Sequence, residues 1–182
     1  WLLVMLGTWL IYNLYPLLMQ SSFHVDASLS SVYYAVAAGI GIFFYAPSGT
    51  LGHKIGDGQV VMIGTLMSLV SAAGMTFLAY AQTPFNAWLV PIFFILMPVA
   101  WSPLIVAGTA FTAQLATFEE GAAVGIFNAT TAVGSVLAAF GAGYVAEYLG
   151  YNMVLALAAA LMLLGAAVLL PVIKLGKAAT EH

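Results

Sequence analysis

The chain has 182 residues, of which 64% are hydrophobic and only 5% charged; Lys and Arg together number three, Asp and Glu six, and the net charge is −3. Soluble domains carry about 25% charged residues, so a soluble enzyme and a disordered tail are excluded, and three basic residues cannot neutralise a run of phosphates, which excludes nucleic acid as a partner. With no cysteine there is no disulfide framework, thiol chemistry or cysteine metal site, and what remains is a polytopic protein of the lipid bilayer.

Six apolar segments follow in order, at 1–20, 28–51, 59–81, 86–113, 121–147 and 152–173. Each reaches the roughly 20 residues that cross about 30 Å of hydrocarbon. The runs are continuous, whereas barrel strands alternate over about 10 residues. The predicted fold class is therefore an all-α membrane protein with six transmembrane helices in a single unit, 1–182. The first segment opens on Trp1, Leu2, Leu3 and Val4, without the basic start or cleavage site of a secretory signal. The chain is accordingly read as a fragment or one half of a longer protein. Asp26 and Ser28 precede the second segment and can cap its free N–H groups. Gly52, Gly56 and Gly58 break the chain before the third, and Pro84 and Asn86 mark the next turn. Pro91, Pro98 and Pro103 crowd the fourth segment; each removes a backbone hydrogen bond and bends the helix. Glu119 and Glu120 precede the fifth, where the positive end of the helix dipole favours them. A polar tail, 174–182, follows the sixth.

Lys54 follows the second span, and Lys174 and Lys177 follow the sixth. An even number of crossings separates them, so they share one side, which the positive-inside rule makes cytoplasmic. His53, Asp57, Glu119, Glu120 and Glu181 lie with them; His24, Asp26 and Glu147 face outward. The expected location is the plasma membrane, with the C-terminus inside.

An offset of 94 residues aligns the two halves. Gly49-Thr-Leu-Gly-His-Lys-Ile-Gly56 falls on Gly143-Tyr-Val-Ala-Glu-Tyr-Leu-Gly150, and Asp26 on Glu120. The offset carries three spans, an odd number, so the units have opposite orientation: a 3+3 inverted repeat.

The stretch from Gly49 to Gly56 resembles the loop signature of the major facilitator superfamily, roughly G-x-L-a-D-R-x-G-R-R between the second and third spans of each half. Gly49, Leu51, Lys54 (for the basic residue) and Gly56 match. The sequence departs at His53, where the family has Asp, and at Gly58 and Gln59, where basic residues are common. The resemblance implies a half of that fold. The fourth span lacks the embedded Arg usual in the family's first half, and Glu119 to Gly125 resembles the approach to the eleventh span. The chain is thus expected to be the C-terminal half, with an N-terminal six-helix half as partner. Gly125, Gly134 and Gly143 also resemble a glycine signature of the family's antiporters, with Ala138, Ala139 and Ala142 replacing Gly, Pro and Gly. Close helix packing of small residues is the preferred explanation, and antiport is not inferred from them.

No charged residue or histidine lies near the middle of any segment, where such residues usually mark ion or proton pathways. Polar and aromatic residues are left as candidates to meet a small-molecule substrate: Trp9, Tyr12 and Asn13 in the first span, Trp101 and Ser102 in the fourth, Asn128 and Thr131 in the fifth. The resemblance implies that the first and fourth helices line a central cavity, favouring Trp9, Tyr12, Asn13 and Trp101. Gly49, Leu51, His53, Lys54 and Gly56 form the gating loop. Glu119 and Glu120 are the expected gating partners of Lys54. The expected function is alternating-access transport of a small solute, with efflux of a lipophilic or drug-like compound preferred. A sugar or other neutral metabolite carrier and a channel-like pore are the alternatives. A membrane enzyme is not expected: His24, His53 and His182 lie at span ends and no G-x-S-x-G elbow is present. No cofactor and no metal are expected.

Overall fold

The computed structural model describes residues 1–180, with side chains to Lys174; Lys177, Glu181 and His182 of the expected tail lie outside the described side chains. Eight helices follow one another: α1 (Leu2–Phe23), α2 (Ala27–Ile42), α3 (Tyr45–Ile55), α4 (Asp57–Ala81), α5 (Asn86–Phe94), α6 (Leu96–Leu115), α7 (Glu120–Leu149) and α8 (Tyr151–Thr180). Among the described residues, five segments are long and apolar enough to cross a membrane, and α2 with α3 makes a sixth, bent by 45°. No strand occurs among the described residues. α5 and α6 are parted only at Ile95, which keeps helical dihedrals (φ −57°, ψ −28°), so they form one 30-residue span, Asn86–Leu115.

The helix ends follow local chemistry. The Asp26 carboxylate accepts hydrogen bonds from the Leu29 N–H (2.9 Å) and the Ser28 hydroxyl (2.7 Å), closing the start of α2. At the end of α4, Asn86 Nδ2 donates to the Leu78 carbonyl (2.6 Å) and Asn152 Nδ2 to that of Ala79 (3.2 Å). These contacts gather the α4–α5 and α7–α8 turns at one end of the bundle. At the other end, a Cβ added to Gly58 would lie 3.2 Å from Ile173 Cγ1. The α3–α4 turn, with Lys54, and the end of α8, with Lys174, therefore lie together.

α1 packs on α8 and α7, α6 packs on α4 and on the α2–α3 pair, and α4 packs on α8. Exchanging the first three spans with the last three leaves this pattern unchanged. Small residues set the crossings: a Cβ on Gly7 would lie 2.7 Å from the Ala158 carbonyl oxygen, and one on Gly64 would lie 3.1 Å from that of Ala100. Met5, Ile11, Leu18, Met75, Phe94, Leu104, Leu155 and Met162 fill the space between with side chains shut off from the surface.

The 94-residue offset is also a conformational register. Gly56 (φ 94°) and Gly150 (φ 85°) both end one helix and begin the next, in a backbone region closed to most L-residues. Each donates its N–H four residues back, to Gly52 and Ala146. The carbonyls of Gly41 and Ser135, again 94 apart, both accept a side-chain hydrogen bond: from Ser102 Oγ (2.7 Å) and from Asn13 Nδ2 (3.4 Å).

The fourth span parts at Ile95, between Pro91 and Pro98, and a 45° bend lies in the second span, at Phe43 and Phe44. Pro47 explains this bend, because proline has no N–H to offer the Phe43 carbonyl four residues earlier. The chain tightens there instead: Phe43 N–H bonds Ile40 O and Phe44 N–H bonds Gly41 O, both at 3.1 Å and three residues apart.

Candidate functional site

A cavity of about 370 Å³ opens at this bend, where α1, α2, α3 and α6 meet. Trp9 and Tyr12 supply one wall, Tyr34, Ala38, Gly41 and Ile42 a second, Tyr45 the rim beyond the break, and Pro98 and Trp101 the side toward α6. Five of these nine residues are aromatic. Trp9 meets Trp101 at 5.9 Å with planes at 81°, and Tyr12 meets Trp101 at 6.5 Å and 82°. Tyr12 also meets Tyr34 at 6.1 Å and 79°. Such edge-to-face contacts are the favoured geometry of aromatic quadrupoles. Behind them Tyr15 stacks on Phe94 at 4.3 Å and donates its hydroxyl to the Ser30 carbonyl at 2.9 Å, which braces the cluster from within the bundle.

Local sequence explains the wall. Positions 34, 38, 41, 42 and 45 recur at helical spacing, so the second span presents them on one side. Gly41 lets the backbones of α2 and α6 meet, since an added Cβ would lie 2.7 Å from the Pro98 carbonyl oxygen. Ser102, wholly buried, then reaches the Gly41 carbonyl. The indole Nε1–H of Trp9 is buried and has no protein partner.

Of the residues singled out from sequence, Trp9, Tyr12 and Trp101 come together around this cavity, and Pro98 joins them. Ser102 stands behind its wall as a tie. Asn13 turns toward α7, where it holds Ser135, and is not among the lining residues. Thr131 accepts a hydrogen bond from the Trp1 indole at 2.7 Å, and Asn128 is exposed on α7; neither is among the lining residues. Trp1 stacks on Phe127 at 4.2 Å and borders a second, smaller cavity of about 190 Å³ with Val61, Phe111 and Leu169. Of the glycine signature, Gly134 packs on Met5, while nothing lies within 4 Å of a Cβ built on Gly125 or Gly143.

The loop residues lie at the opposite end from Asn86 and Asn152. Leu51, His53 and Lys54 are exposed in the last turns of α3, Gly49 faces Val106, and Gly56 makes the turn. Glu119 precedes α7 and Glu120 begins it. Among the described residues, no ion pair joins Lys54 to either glutamate. A different tie holds these loops. Asp57 Oδ2 accepts a hydrogen bond from Gln114 Nε2 at 2.6 Å, linking the start of α4 to the end of α6, and its carboxylate lies against Gly52. Sequence reading missed Tyr34, Tyr45 and the Asp57–Gln114 pair. Helical spacing across 34–45 was the available signal for the tyrosines.

A model of the Major Facilitator Superfamily matches residues 2–181. No curated protein matches the chain.

Proposed function

The chain belongs to the major facilitator superfamily, and on that premise we propose that it is the C-terminal six-helix half of a secondary transporter that moves a small lipophilic solute by alternating access. Membership makes it an integral membrane protein of a family of transporters. The observation that carries the finer reading is the aromatic cavity at the broken second span. Irregular backbone at membrane depth is tolerated where it lines a cavity, and broken helices at a binding site suit a rocking mechanism. An N-terminal half would cover the exposed apolar faces of α2–α3 and α7, where Phe43 and Phe140 stand among the most exposed side chains. Efflux is the preferred direction. A sugar fits less well, because none of the lining residues carries an amide or a carboxylate. The clustering of Lys54 and Lys174 at one end supports a cytoplasmic assignment of that end, with the C-terminus inside the plasma membrane.

The test is flux through the full-length protein in proteoliposomes. Saturable transport of a labelled lipophilic solute, with counterflow driven by unlabelled solute, is the expected result. Flux that rises linearly without saturation and shows no counterflow would mean a pore.

A further inference from the structure

We propose that the cavity at the bend binds a lipophilic organic cation: a quaternary or protonated amine carried on an apolar body. This rests on the transport reading and names the substrate class.

The argument begins with the rings. Trp9, Tyr12, Tyr34 and Trp101 meet at 79–82° in three successive pairs. With Trp9 and Tyr12 tilted at 56°, the ring planes around the cavity therefore run in several directions. A flat neutral ring is served best by parallel faces. An aromatic wall suits an ammonium group, because a ring face laid against it presents the negative side of its quadrupole.

The backbone at the break beside the cavity also lacks donors. The turn hydrogen bonds at the break use the carbonyls of Ile40, Gly41 and Phe44; they do not use those of Ile42 or Phe43. Pro47 is the reason for Phe43, as it has no N–H to give. These groups form the negative end of the α2 dipole, and Ile42 itself lines the cavity. At membrane depth a carbonyl without a donor requires water or a ligand, since hydrocarbon supplies neither donor nor charge. Ammonium N–H groups, or the positive methyls around a quaternary nitrogen, meet that requirement. An anion would meet π faces, which repel it. None of the nine lining residues is basic. The volume of about 370 Å³ falls within the roughly 300–1,000 Å³ of drug-sized sites. The unpartnered Trp9 indole N–H offers one donor to an acceptor atom on the apolar body.

The probes are phenyltrimethylammonium and its neutral isostere tert-butylbenzene, titrated against the full-length protein by tryptophan fluorescence. The expected result is about tenfold tighter binding of the cation. Tyr45, 40% exposed at the rim, supplies variants that leave the core intact. Tyr45→Phe should keep the cation's affinity, and Tyr45→Leu should weaken the cation several-fold while leaving the isostere unchanged. Because each ligand is compared between wild type and variant in the same micelles, partition into detergent cancels. Should Tyr45→Leu misfold, Tyr34→Leu asks the same question. Equal weakening of both ligands, or an isostere that binds as tightly as the cation, overturns the inference. Transport separates the two readings. Saturable flux of a neutral solute without any cation preference refutes the cation site alone. Preferential cation binding without flux or counterflow refutes the transport reading and leaves the site standing.

Discussion

Replacing Gly41 by Ala tests how the cavity wall is built. The new Cβ would lie 2.7 Å from the Pro98 carbonyl oxygen and 3.0 Å from its carbonyl carbon. Both are backbone atoms of α6, so no side chain can swing away, and the two spans must separate. Overpacking of this kind costs about 1–3 kcal/mol. Separation also stretches the bond from Ser102 Oγ to the Gly41 carbonyl and leaves a wholly buried hydroxyl without an acceptor, a further cost of about 1 kcal/mol. Ser102→Ala is the control. It removes only the donor, and the Gly41 carbonyl keeps its bond from the Phe44 N–H. Its cost should be about 0.6 kcal/mol, the average for hydrogen bonds between membrane helices. The double variant should cost less than the sum, because the two residues share one contact. Stability in detergent, read by thermal unfolding, ranks the three proteins, and probe affinity at the cavity reports whether the wall has moved. If Gly41→Ala proved as stable as Ser102→Ala and bound the probe like wild type, the close α2–α6 contact would not be what shapes this wall.

Pro47→Ala should restore a donor to the Phe43 carbonyl, reduce the 45° bend and raise the thermal midpoint while weakening probe binding; distance measurement between spin labels on α2 and α3 checks the angle. Gly56→Ala and Gly150→Ala should each lose about 1 kcal/mol from their positive φ, similarly at both sites, since open space surrounds both and only the backbone is strained; unequal losses by thermal unfolding would refute the matched turns. The Leu29 N–H bonded to Asp26 holds its carboxyl below the usual carboxylate range. Its cap therefore adds stability above the ordinary value near about pH 4 and loses it as pH falls through the lowered value. Asp26→Asn keeps the acceptor and should flatten that part of the pH–stability curve, measured by helicity during acid titration.

Apolar run length carries the fold, because a span needs about 20 residues and little else. Hence each of the six segments falls on a helix or a helix pair. The site was partly legible. Trp9 and Tyr12 come to the cavity as their spacing suggests, but Asn13 does not. One residue along a helix turns the side chain by about 100°, which is enough to move Asn13 from the cavity side to α7. Spacing along one helix gives the angles between side chains, and neighbours decide what each angle meets. Ser102 misled for the same reason: a serine in mid-span can face a cavity or a carbonyl, and here the Gly41 carbonyl lies within reach. The bend itself was hidden because Pro47 sits in a polar-looking stretch near the expected loop, while three prolines drew attention to the fourth span. There the helix parts at Ile95, next to the Phe94 carbonyl that Pro98 cannot serve, and resumes at Leu96 within the same span.

The repeat explains why the cavity arises on one side only. Matched contacts hold the two units in equivalent frames, down to the carbonyls of Gly41 and Ser135. The residues that make the cavity are those where the units differ. Ninety-four residues after Tyr34, Tyr45 and Pro47 stand Asn128, Ala139 and Gly141. Without a proline, α7 runs unbroken from Glu120 to Leu149, and no carbonyl is released into its middle. Trp9 falls on Pro103 and Tyr12 on Val106, so the aromatic wall has no counterpart between the fourth and fifth spans. The second span thus bends where the fifth does not, and its bend delivers Ile42 and Tyr45 to rings already held by α1 and α6. Symmetry supplies a rigid scaffold of small-residue crossings, and departure from symmetry at a handful of positions supplies the chemistry.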